Sequence, residues 1–309
     1  MAPQVKIFAG NSNPELSARI ADAFGTPLGD LSIQRFADTE LGPSFNESVR
    51  GCAVFLIQST FPPAENLMEL MLMVDAAKRA SAESVNIVMP YYGYARQDRK
   101  DKPRVSIGAK VVADFIQSVG TDRLMTCDLH AGQIQGFFDI PVDHLDGAAM
   151  FVPYIKSLNL ENLIFASPDV GGVVRTRAFA KRFGAEIVVC DKTRLRANEI
   201  ASMQVIGDVT GQDVVLVDDI VDTAGTICKA ADLLMERGAK SVRAVITHAI
   251  LSGPAHDRIR ASALQELVVS DTIPLRQQND KIRVISLADL FARAIRNVVT
   301  HESISSLFI

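Results

Sequence analysis

Apolar and polar positions follow one order along most of this chain. A short run of consecutive apolar, often β-branched residues gives way to a longer stretch with apolar residues every three or four positions. Runs of the first kind cover residues 5–9, 54–59, 85–89, 124–127, 163–167, 187–190, 214–217, 242–247 and 267–270. Most have no polar alternation, which predicts strands covered on both faces. Stretches of the second kind, at 14–24, 64–81, 107–119, 173–183, 226–237 and 287–299, predict amphipathic helices. Strand, helix, strand repeated in this way predicts an α/β fold with a mainly parallel central sheet flanked by helices. The pattern occurs twice. The segment 143–147, after Ile140-Pro141, leaves a full set of strands and helices on each side, so the expected domains are 1–146 and 147–289. Residues 290–309 are expected to pack back on the first domain, because the apolar end Leu307-Phe308-Ile309 calls for a docking place.

Composition narrows the function classes. Of 309 residues, 48% are hydrophobic and 22% charged, enough for a sizeable core and far from a disordered chain. No apolar run reaches the roughly 18 residues of a membrane span, and residues 1–10 carry no signal-peptide pattern. Cys52, Cys127, Cys190 and Cys228 lie far apart, as buried small hydrophobes do and disulfide or zinc frameworks do not. A cytoplasmic protein with no membrane partner is expected. The net charge of −4 offers nucleic acid no global attraction, and no tryptophan with only four tyrosines makes a poor stacking platform. No nucleic-acid partner is expected.

Ligands of open parallel sheets bind beyond the carboxyl ends of the strands, so the residues that follow the apolar runs carry the chemistry. The most informative segment is 214–226: four apolar residues, then Asp218-Asp219-Ile220-Val221-Asp222-Thr223-Ala224-Gly225-Thr226 opening a helix. Unpaired N–H groups at a helix start favour a phosphate. Asp218 and Asp219 repel phosphate but accept hydrogen bonds from sugar hydroxyls or reach a metal. A sugar phosphate satisfies both features. No Gly-Lys pair and no Gly-x-Gly spacing occurs, which removes the P-loop and the dinucleotide fingerprint.

This segment resembles the phosphoribosyl-pyrophosphate loop of type I phosphoribosyltransferases. In its form Asp-Asp-(two residues)-Asp-Thr-Ala-Gly-Thr it is similar to the phosphoribosyl-pyrophosphate synthetase family, class I of bacterial type. Further segments carry the same resemblance: Tyr94-Ala95-Arg96-Gln97-Asp98 after the strand at 85–89, Asp128-Leu129-His130 after 124–127, Ser167-Pro168-Asp169 before a Gly-Gly turn, and Lys192-Thr193-Arg194 after 187–190. Arg35-Phe36-Ala37-Asp38-Thr39-Glu40 matches the nucleotide segment of that family, with Thr39 where the family carries glycine. If that position needs φ > 0, a β-branched residue is strained there by roughly 1 kcal/mol or more.

The resemblance implies two phosphoribosyltransferase-like (type I) domains and transfer of the pyrophosphoryl group of ATP to ribose 5-phosphate. It implies Lys192 and Arg194 as catalytic residues and Phe36, Asp38, Thr39, Glu40, Arg96, Gln97 and Arg99 at ATP. Arg194, Asp218, Asp219, Asp222, Thr223, Ala224, Gly225 and Thr226 fall at ribose 5-phosphate, and His130 and Asp169 at Mg2+. The cationic run at 192–196 is expected to be a mobile loop closing over phosphates. The family assembles as hexamers, is activated by phosphate and inhibited by ADP, and the matching regulatory residues are Ser48, Arg50, Ser303 and Ser305. Three rivals share parts of the pattern. A simple phosphoribosyltransferase does not explain Arg96–Arg99. A regulator on this fold needs a DNA-binding module, whereas residues 1–34 read as strand and helix. A non-catalytic associated subunit has no use for Lys192, Arg194, His130 and Asp169.

Overall fold

The protein is described from a computed structural model covering residues 3–196 and 199–307; over 192–196 and 199–202 it defines the course of the backbone. The chain divides into two compact units, one from the N-terminus to Gly147 together with the residues from Ser286 onward, the other Ala148–Ile285. The expected boundaries at 146 and 289 thus shift by a few residues.

In the first unit β1 (Val5–Ala9) leads into α1 (Pro14–Phe24). Asn13 caps that helix by accepting from Leu16 N–H at 3.3 Å, Pro14 fits its first turn, and Gly25 ends it in the left-handed region at φ 94°. A two-stranded antiparallel ribbon follows, β2 (Leu31–Arg35) and β3 (Leu41–Phe45). The hydrophobic pattern missed it because its residues are half-buried or exposed and β3 contains Gly42-Pro43. Next come β4 (Ala53–Ile57), α2 (Glu65–Arg79), β5 (Ser84–Met89), α3 (Gly108–Ser118), β6 (Arg123–Cys127) and β7 (Val142–Leu145). The parallel sheet runs β1-β4-β5-β6-β7. Every residue of β4 is buried, which is why its sequence is an unbroken apolar run. Strand β7 begins just ahead of the segment read as a domain boundary; only Leu145 is fully buried there, so its polar Asp143 and His144 hid it.

The second unit contains α4 (Ala148–Ser157), β8 (Leu163–Ser167), α5 (Val173–Phe183), β9 (Ile187–Arg196), β10 (Glu199–Ile206), β11 (Asp213–Val221), α6 (Gly225–Glu236), β12 (Ser241–Ala249), α7 (Ala255–Ala261), β13 (Glu266–Ser270) and β14 (Ile282–Ile285). Its sheet order is β10-β9-β8-β11-β12-β13-β14, parallel throughout except for the β9–β10 pair. Val214, Leu216, Val242, Ala244 and Leu267 pack under α6 within one core, and Phe165, Val215, Val217 and Val245 pack under α4 and α5 within another. The cationic segment expected as a mobile loop is instead the outer half of β9, paired antiparallel to β10 with register breaks around Ile200. Lys192, Arg194 and Arg196 alternate with Thr193 and Leu195, the period of a strand, and that explains the correction.

The chain then returns to the first unit as α8 (Ala288–Val299), which packs along α1. Leu290, Phe291 and Ile295 are buried there, and Arg296 donates to the carbonyls of Ala23 (3.2 Å) and Phe24 (3.0 Å) at the C-terminus of α1. Leu307 is buried, while Phe308 and Ile309 lie outside the described residues. All four cysteines are buried and none is in a disulfide. No helix of the described residues is long and apolar enough to cross a membrane.

Candidate active site

Strand β11 is longer than its apolar run: it continues through Asp218 and Asp219 to Val221, hydrogen-bonded to β12 all the way. The two acids therefore stand on rigid strand rather than in a loop, and alternation sends them to opposite faces. Asp219 is 3% exposed and accepts from Arg175 Nη1 of α5 at 2.8 Å; the same nitrogen lies 3.7 Å from Asp218 Oδ1. Asp218 Oδ1 also accepts from Asp219 N–H at 2.9 Å. Burial, then the charge of Asp219, raises the Asp218 carboxyl well above the usual carboxylate range, and Arg175 draws it partly back. Arg175 escaped the sequence reading because, within Val-Val-Arg-Thr-Arg, it looks like one more cation on a solvated helix face.

Past β11, Asp222–Thr226 turns into α6. Ala224 takes the left-handed conformation (φ 58°) at the cap position, and no side chain caps the helix. The cap residue thus offers the first N–H groups of α6 no side-chain acceptor, an arrangement that suits a phosphate. Two contacts brace the turn from outside: Ser252 N–H donates to Asp222 O at 3.0 Å, and Arg258 Nη1 donates to Thr223 O at 2.9 Å.

Asp169 follows β8, the parallel neighbour of β11. Its Oδ1 accepts from Gly172 N–H at 3.1 Å, so this carboxylate itself caps the Gly-Gly turn. In the first unit, His130 is exposed at the carboxyl end of β6, two residues beyond Asp128, whose φ of 41° is left-handed. Among the described residues no three His, Cys, Asp or Glu side chains gather to hold a metal unaided. Taken separately, the Asp169 carboxylate and the His130 imidazole are donor types that a hard divalent cation accepts alongside waters and substrate phosphates.

The nucleotide segments also belong to the first unit. Tyr91 and Tyr92 are core residues, not ligand contacts: Tyr92 is 2% exposed and donates to Ala109 O at 2.8 Å. A Cβ on Gly93 would stand 2.2 Å from Thr60 O, so only glycine lets this turn approach. The chain then surfaces, with Arg96, Gln97 and Arg99 exposed ahead of α3. Phe36, 46% exposed, opens the β2–β3 turn with its ring over Gly42, where a Cβ would lie 2.8 Å from Phe36 Cε2. Thr39 does occupy the left-handed region, at φ 75°, closing the turn through Thr39 N–H to Phe36 O (2.9 Å). Asp38 Oδ1 accepts from Glu40 N–H, while Arg35 ties the turn to Glu65 at the start of α2 at 3.0 Å.

Ser48 Oγ accepts from Arg50 N–H at 3.4 Å and Arg50 Nη1 donates to Ser81 Oγ at 3.0 Å. Ser303 Oγ accepts from Ser305 N–H, and Ser303 O accepts from Asn297 of α8. Among the described residues no hydrogen bond joins the Ser48–Arg50 pair to the Ser303–Ser305 pair. The side chains of Lys192 and Arg194 lie outside what the structure describes; their backbone belongs to β9.

Comparison with known proteins agrees with this geometry. Residues 5–120 match the family model for the N-terminal domain of ribose phosphate pyrophosphokinase, and residues 173–309 match the phosphoribosyl synthetase-associated domain. The chain is 56% identical to the ribose-phosphate pyrophosphokinase of Porphyromonas gingivalis, covering 98% of this chain and 97% of that one. It is 54% identical to the enzyme of the same name from Campylobacter jejuni, covering 98% and 99%. The crystal structure of phosphoribosylpyrophosphate synthetase from Mycobacterium smegmatis, 38% identical, superposes with a TM-score of 0.91 over 96% of this chain and 99% of that one. Two α/β units with such relatives over nearly the whole chain leave one conclusion: the chain belongs to the ribose-phosphate pyrophosphokinases, which transfer the pyrophosphoryl group of ATP to ribose 5-phosphate.

Proposed function

We propose that the second unit binds ribose 5-phosphate through Asp218 and the 222–226 turn. The observation that carries this reading is the start of α6, without a side-chain cap and following directly on the acids of β11. The 5-phosphate takes the N–H groups and the hydroxyls of Thr223 and Thr226, with Ala224 and Gly225 leaving the backbone open to it. Asp218 accepts from the sugar hydroxyls. Asp219, first read as its equal, is committed to Arg175 and supports the site from below. The anomeric hydroxyl attacks the β-phosphorus of ATP in line and AMP departs, so the protein contributes positioning and electrostatic stabilisation. Lys192 and Arg194 stabilise the charge that develops on the transferring group.

ATP is held by Phe36 against the purine, by Asp38, Thr39 and Glu40 at its edge, and by Arg96, Gln97 and Arg99 along the triphosphate. Exposure of Phe36 and of the three later residues supports this role. His130 and Asp169 are the residues that would hold Mg2+, which when bound neutralises phosphate charge. The enzyme works in the cytoplasm as a homo-oligomer, a hexamer by resemblance, with phosphate and ADP as effectors at Ser48, Arg50, Ser303 and Ser305. Buried thiols outside any disulfide suit a reducing compartment.

Steady-state kinetics of Asp222→Ala and Thr226→Val test the assignment. KM for ribose 5-phosphate rises about tenfold or more while KM for ATP changes little. Equal losses for both substrates would overturn it.

A further inference from the structure

The backbone of Asp128 sits in the left-handed region at φ 41°, two residues before the exposed His130. Aspartate enters the left-handed region more readily than most residues, and local contacts decide whether it stays there. Three contacts from β7 and the two residues after it hold this turn. Asp128 N–H donates to Leu145 O at 3.1 Å, and Gly147 N–H donates to Asp128 Oδ1 at 3.3 Å. The third contact is side chain to backbone: Leu129 N–H donates to His144 Nε2 at 2.9 Å.

That last bond defines the state of the ring. A backbone N–H can only donate, so Nε2 holds a lone pair facing the Leu129 amide. Leu129 is 3% exposed, so its amide has little access to water, and losing the imidazole orphans a buried donor. The turn that leads to His130 is thereby pinned at Asp128 and at the Leu129 amide.

We propose that His144 is a positioning residue for His130: its Nε2 fixes the Leu129 amide, holds the left-handed Asp128 turn and so aims the His130 imidazole. This rests on the reading of His130 as a metal-binding residue. Outer partners that orient a ligand commonly govern metal affinity or activity by about 10–100-fold. No role in the reaction follows for His144 itself, whose ring faces the backbone.

Three measurements on the full-length enzyme test it, each as initial rate against Mg2+ concentration at saturating substrates. His130→Ala comes first; an unchanged Mg2+ dependence there removes His130 from the metal and this inference with it. If His130→Ala does shift the dependence, His144→Ala raises the half-saturating Mg2+ about tenfold and leaves KM for ribose 5-phosphate within about twofold. His144→Gln, which keeps an acceptor near the Nε2 position, restores most of the loss. A wild-type Mg2+ curve in His144→Ala, or Gln doing no better than Ala, overturns the proposal while leaving His130 in place. Amide hydrogen exchange of the unaltered protein provides a check that no folding defect can confuse: Leu129 N–H exchanges slowly, and rapid exchange contradicts the bond.

Discussion

Arg175 reaches from α5 to β11 and donates to Asp219 at 2.8 Å, so the second acid of the Asp-Asp pair is neutralised by a residue 44 positions earlier in the chain. With Asp219 at 3% exposure, this is a buried ion pair whose parts are costly apart. Arg175→Met is expected to lower the stability read from urea unfolding by about 3 kcal/mol. Adding Asp219→Asn removes the stranded charge and recovers most of the loss. A double variant no more stable than Arg175→Met contradicts the pairing.

Asp218 gives a pH signature. Burial and the Asp219 charge raise its folded-state pKa above the ordinary value of about 4. Between those two values the folded protein binds more protons than the unfolded one, so this carboxyl lowers stability as pH rises through that window. Asp218→Asn is therefore expected to stabilise the substrate-free protein at pH 7 to 8, on the order of 1 kcal/mol, with the gain fading toward pH 4. The same change weakens ribose 5-phosphate binding. Thermal melting from pH 4 to 8 decides it: a gain that grows on acidification has the wrong sign.

Thr39 pays for its place in the turn. At φ 75° a β-branched residue is strained by about 1 kcal/mol, and glycine removes the strain but gives back part through unfolded-state entropy. Thr39→Gly is expected to raise the urea midpoint by the equivalent of roughly 0.5–1 kcal/mol at an unchanged m-value. A lower midpoint shows that the threonine side chain contributes contacts worth more than its strain.

Lys192→Ala tests the outer half of β9. A cation acting only in the transition state gives a kcat loss of about 100-fold or more with little change in KM. Retention of more than about a third of kcat returns the segment to a solvated strand edge.

Arg50→Ala tests regulation. Its guanidinium is exposed and bonded to Ser81 Oγ. Activation by phosphate and allosteric inhibition by ADP are expected to be lost with basal rate retained, measured as rate against phosphate at saturating substrates. An unchanged activation curve removes Arg50 from the effector site.

What the sequence determined by itself follows from burial. Strands such as β4, β6 and the inner part of β11 are covered on both faces, so they must read as apolar runs, and only the residues at or beyond their carboxyl ends are left to carry chemistry. That made Asp218, Asp222–Thr226, His130 and Asp169 legible as candidates before any coordinates. The solvent-facing β2–β3 ribbon and the half-buried β7 have no such signature, and the cationic stretch of β9 reads as a loop until β10 pairs with it. Only tertiary structure decided which acid faces Arg175 and which imidazole braces the Leu129 amide. Those contacts depend on β8 lying beside β11 and β7 beside β6, adjacencies set by how the strands pack and written in no local run of residues.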